Sequence, residues 1–112
     1  MITTSGTGKC NPTRKKITIP AGATSIVDSI PASFTNMADY SLSFEDLTTN
    51  QVKSTKLSTS WDDTKACETE YAKIGEGIPL TSISTQLTAN NFELSVENRG
   101  TNPVCVLLTR TI

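Results

Sequence analysis

Histidine is absent from this 112-residue chain. That removes the commonest general base and the commonest metal ligand. Cysteine occurs three times, at Cys10, Cys67 and Cys105, with no CxxC pair. An odd count without paired spacing argues against a disulfide framework, so reduced, partly buried thiols are expected. Aromatic rings are few: three Phe, two Tyr and one Trp. A core so short of rings is thin, which points to stability borrowed from a partner chain. No charge sign dominates, with ten Lys and Arg against eleven Asp and Glu. No global field therefore favours nucleic acid or an anionic membrane. The longest purely apolar run, Val104 to Leu108, is far too short to span a bilayer. Residues 1–9 hold no apolar stretch, and no signal peptide is expected. No window joins a 3.6-residue apolar period to good helix formers, so helix should be scarce.

Catalytic motifs are missing as well. There is no G-x-S-x-G elbow, Gly-rich phosphate loop or H-E-x-x-H. Glu68 and Glu70 stand two apart on an expected strand and share a face. Paired carboxylates can do acid–base work, but with Lys65 and Lys73 close by they read better as a solvated β face. Asp62 and Asp63 read as turn residues rather than Ca²⁺ ligands. Cys67 and Cys105 are placed on neighbouring strands, with nothing beside them to activate a thiol. The expectation is a protein that is not an enzyme and uses no cofactor and no metal.

What the chain does have is hydroxyl and alternation. Nineteen threonines and twelve serines are spread along it, and threonine prefers a pleated, half-exposed surface. Residues 91–112 carry the clearest pattern. Phe92, Leu94 and Val96 alternate with Glu93, Ser95 and Glu97. Asn98 to Pro103 is turn chemistry, and Val104, Val106 and Leu108 alternate again. This reads as a β-hairpin. Its second strand, apolar on both faces, should lie inside a sheet. Tyr40, Leu42 and Phe44 mark another strand. Pro20-Ala21-Gly22, Asp46 to Asn50, Asp62-Asp63-Thr64, Gly75-Glu76-Gly77 and Ala89-Asn90 are turns. Pro31 should stop the strand that starts at Ala23. The polar stretch Gln51–Trp61 breaks its period, and a bulge near Ser54 would explain this. About eight strands at 8–12-residue spacing predict an all-β fold: an antiparallel β-sandwich or flattened barrel with an extended N-terminal arm. Residues 1–14 form that arm and residues 15–112 the single domain. The arm ends in a basic cluster. Lys9, Arg14, Lys15 and Lys16, with Trp61, are the candidate partner contacts. Each has a plainer reading: solvated charge beside an edge strand for the basic residues, and core for Trp61, as for Tyr40.

Three stretches together resemble a small β-sandwich domain of tailed-bacteriophage virion structural proteins, of decoration, fibre or tail type. They are Tyr40-Ser41-Leu42-Ser43-Phe44-Glu45-Asp46, Thr69-Glu70-Tyr71-Ala72-Lys73-Ile74-Gly75-Glu76-Gly77, and the ending Leu94 to Asn98 with Asn102 to Ile112. The matches cover about two-thirds of the chain. The Gln51–Trp61 strand is more polar than the pattern, and Pro103 replaces a plain turn residue. The resemblance implies a non-enzymatic structural role and supplies no catalytic residues. With one such domain, the expected role is a capsid decoration (cement) protein that stabilises the assembled shell. A tail component (fibre, baseplate or neck adaptor) or a carbohydrate-binding module is the alternative. The partners would be other virion subunits, the major capsid protein or tail proteins. The chain is expected to form a homo-oligomer, a trimer if it sits at threefold lattice points, with no specific nucleic acid and no membrane. It would belong to the virion and be assembled in the bacterial host cytoplasm.

Overall fold

The computed structural model describes residues 13–75 and 79–112. Eight strands follow one another: β1 (Thr13–Ile19), β2 (Thr24–Pro31), β3 (Met37–Asp46), β4 (Val52–Trp61), β5 (Ala66–Ile74), β6 (Thr81–Thr88), β7 (Asn91–Asn98) and β8 (Val104–Thr111). They form two antiparallel sheets, in the orders β1-β8-β3-β4-β5 and β2-β7-β6. The fold is a β-sandwich, not a closed barrel. No helix occurs among the described residues.

The core comes from the inward rows of both sheets. Leu42, Phe44, Leu57, Val106 and Leu108 meet Val27, Ile30, Phe92, Leu94 and Val96, all buried. Trp61 stacks on Phe92, with centroids 4.2 Å apart and planes at 15°. Few rings suffice because β-branched and leucine side chains fill the rest.

One expected connection is corrected. The strands around Asn98–Pro103 are not a hairpin. β7 pairs with β2 and β6, whereas β8 lies between β1 and β3 in the other sheet. Both strands exist as read, and β8 is interior as its two apolar faces require. The intervening loop crosses from one sheet to the other. Asn98, fully buried, holds that crossing. Its amide donates to the carbonyls of Ile19 (3.0 Å) and Asn102 (2.8 Å), and its Oδ1 accepts from the Gly100 N–H (3.0 Å).

The polar strand β4 has a simple explanation. From Thr55 onward its inward row is Thr55, Leu57, Thr59 and Trp61, all buried. Threonine fits there because its hydroxyl finds a carbonyl: Thr59 donates to Ala38 O at 2.8 Å and Thr55 to Tyr71 O at 3.3 Å. The ladder shifts between Ser54 and Lys56, as expected near Ser54, but the extra residue belongs to β5. Ala72, at φ 51°, sits in that bulge.

A five-stranded sheet facing a three-stranded one cannot be covered completely. β5 is the uncovered strand: every residue from Cys67 to Ile74 is exposed.

Candidate interaction surface

Strand alternation splits the basic cluster. β1 turns Arg14 and Lys16 outward, while Lys15 faces the interior side. The arm's last two residues, Thr13 and Arg14, already belong to β1; Lys9 lies outside the described residues. The cluster is therefore not one patch. Two cations look outward, and the third is engaged with Asp28.

Asp28 was not singled out by the sequence, and its position depends on a bulge. β2 carries one residue more than β7 between Ile26 and Asp28. The extra residue turns two successive side chains, Val27 and Asp28, inward, and both are buried. The Asp28 carboxylate then reaches the opposite sheet. It accepts from Lys15 Nζ of β1 at 2.5 Å, from the Tyr40 hydroxyl of β3 at 2.7 Å, and from Arg110 Nη1 of β8 at 3.0 and 3.2 Å. Arg110 Nη2 also donates to Thr13 Oγ1 at 3.1 Å, while its buried Nε has no partner. Burial pushes the Tyr40 hydroxyl pKa far above its ordinary value, and the adjacent Asp28 charge adds to the shift. This phenol stays protonated and donates.

Other acids hold turns. Asp46 Oδ1 accepts the N–H groups of Thr48 (2.8 Å) and Thr49 (3.0 Å), and its Oδ2 accepts from the Asn102 amide (3.1 Å). Asp62 Oδ1 accepts from the Thr64 and Lys65 N–H groups and the Thr64 hydroxyl. These bonds depress both pKa values, led by the Thr49 N–H for Asp46 and the Thr64 N–H for Asp62. Glu68 and Glu70 share a face of β5, as read. Glu68 accepts from the Thr85 hydroxyl of β6, and Glu70 lies 3.7 Å from Lys73. Cys67 is exposed and Cys105 buried, and both are free thiols. They are not on neighbouring strands, since β3 and β4 lie between β8 and β5. Among the described residues no group of three or more metal-ligating acids, cysteines or histidines converges.

Trp61 is a core residue, 5% exposed, and its indole N–H donates to Ala32 O at 3.3 Å. It also lines an open cleft of about 840 Å³ with Asn36, Asp63, Leu87 and Asn90. The stack with Phe92 occupies one ring face. A smaller cleft of about 260 Å³ lies beside β5, lined by Phe44, Lys53, Glu70 and Lys73 among others. There the Lys53 ammonium stands 5.7 Å from the Phe44 ring centroid, and burial lowers its pKa.

No protein-family model matches the sequence, and no curated protein matches it. Among solved structures, the fold is similar to the tailspike protein of the Acinetobacter phage vB_ApiP_P1. The TM-score is 0.53 at 12% identity, over 99% of this chain and 23% of that one. The tailspike protein of Acinetobacter baumannii phage AM24 aligns with a TM-score of 0.49 and 8% identity, over 89% and 25% of the two chains. The chain spans about a quarter of the length of these proteins. At such identities the likeness is one of fold.

Proposed function

We propose that this chain is a non-enzymatic structural module of a tailed-phage virion, placed in the tail, that works by binding neighbouring subunits. One observation carries the non-enzymatic part. The organised polar groups are already committed to holding the sandwich: Asp28 across the sheets, Asp46 and Asp62 in turns, Asn98 in the crossing loop. The virion assignment is supported by the motif resemblance together with the tailspike-like fold across 99% of the chain. That likeness favours the tail over the capsid decoration the sequence suggests, which stays as the second location. The mechanism is mass action. A module that buries surface only on the assembled particle stabilises that state over its disassembled parts. The part of the expected arm that precedes β1, residues 1–12, is the proposed docking arm. Lys9 with the outward-facing Arg14 and Lys16 are the proposed contacts to an acidic neighbour, assembled in the host cytoplasm.

Labelling intact particles with an antibody against this chain tests the reading. Label on the tail is the expected result. Label on the head would replace it with decoration, and unlabelled particles that lack the chain by mass spectrometry would overturn the virion role.

A further inference from the structure

Four edge strands border the two sheets among the described residues: β1 and β5 in one, β2 and β6 in the other. A sheet edge is a row of N–H and C=O groups that will accept another strand unless something blocks it. Three of the four edges carry a block. β1 has Arg14, Lys15 and Lys16 in succession. β2 is bulged at Val27 and ends in Pro31. β5 has Glu68, Glu70 and Lys73 and is bulged around Ala72. β6 has none of these. Its sequence, Thr81 to Thr88, holds no charge and no proline, and it pairs with β7 in unbroken register over all eight residues. Its inward row, Thr81, Ile83, Thr85 and Leu87, is only half buried.

We infer that β6 is a self-association edge: two copies of this chain join antiparallel through β6, about a two-fold axis at Thr85. A second copy is the occupant because the strand is complementary to itself. With Thr85 opposite Thr85, Ile83 of one copy faces Leu87 of the other, and this apolar pair occurs twice. Ser84 then faces Gln86 and Ser82 faces Thr88, with no like charges opposed within β6 itself. A slip of one residue sends inward side chains to the outer face. A slip of two in the pairing sum sets Ile83 against Thr85 or Ala89 and breaks both apolar pairs. The product is a continuous six-stranded sheet, β2-β7-β6-β6-β7-β2, and an isologous interface closes the assembly at two. This differs from the threefold arrangement that capsid lattice points would favour, and it does not depend on the virion role. Glu68 grips the Thr85 hydroxyl from β5, so the axis brings two carboxylates toward each other. Glu68→Gln should therefore tighten the pair.

Sedimentation equilibrium on the full chain is the test, run beside a Ser84→Lys/Gln86→Lys variant. Both positions are exposed, and in the dimer each lysine at 84 faces the partner's lysine at 86. Two opposed like-charge pairs should weaken association about tenfold, with the thermal melt unchanged. A Thr85→Cys variant, oxidised and peptide-mapped, gives a second reading. A disulfide joining position 85 to position 85 is expected, ahead of any formed by Cys67. A monomer or a trimer at every concentration would overturn the inference. So would a dimer indifferent to the lysines whose cross-links exclude position 85.

Discussion

Asp28 is one carboxylate serving two cations and a phenol, and that imbalance decides its energetics. Its side chain is fully buried, whereas those of Arg110 and Lys15 are 18% and 37% exposed. Removing the carboxylate costs mostly through the guanidinium left facing the interior, because Lys15 can turn to water. Asp28→Asn should lower the unfolding free energy by about 3 kcal/mol. Tyr40→Phe, which deletes one donor to that charge, should cost about 2 kcal/mol. Urea denaturation measures both, and equal losses would show that the charge carries no special weight. Asp46 acts on pH instead. Its folded pKa lies below the unfolded value, so its contribution is fully present above about pH 4 and is lost as pH falls through the depressed folded value. Thermal melts from pH 7 to pH 2 should show stability falling below about pH 4. Asp46→Asn keeps an acceptor for the turn and should make that fall shallower.

At the scale of strands and turns, the β6–β7 connection is two residues long. Ala89 and Asn90 both have positive φ, 47° and 72°, the requirement of a type I′ hairpin turn. Asparagine accepts that conformation far better than alanine. Ala89→Asn should raise stability by about 0.5 to 1 kcal/mol, read as a higher urea midpoint at constant slope. Much at this scale was legible in the sequence. The alternation of Tyr40, Leu42 and Phe44 located β3 and its buried face, and Gly22 and Ala89-Asn90 marked real turns. Sheet membership was not legible. Alternation says that a stretch is extended and which face is apolar, not which strand lies beside it. Five residues with Gly100 and Pro103 can close a hairpin or cross a sandwich, and the buried Asn98 amide selects the crossing. Nor was Asp28 visible, because a bulge shifts the inward row by one residue. The mixed run Ile26-Val27-Asp28 looks like an ordinary strand until the extra residue is placed. The basic run Arg14-Lys15-Lys16 was visible, but its division between the two faces of β1 follows only once β1 is known to start at Thr13.

For the molecule as a whole, pairing is non-local. β1 finds β8, and β3 is held by β8 as well as by its neighbour β4. Such topologies fold slowly, on the order of milliseconds to seconds. Trp61, buried against Phe92, is a built-in reporter, and stopped-flow fluorescence should show a main refolding phase in that range. A microsecond phase carrying the full amplitude would contradict it. The place of β8 has one more consequence, in the making of the protein. The strand that stitches β1 to β3 follows both in the chain, so the five-stranded sheet cannot close until residues 104–111 have left the ribosome. Until then β1 has no partner strand, and the inward face of β3 lacks the Val104, Val106 and Leu108 row beside it. A copy cut short before residue 104 therefore loses the joint between β1 and β3 along with the strand itself.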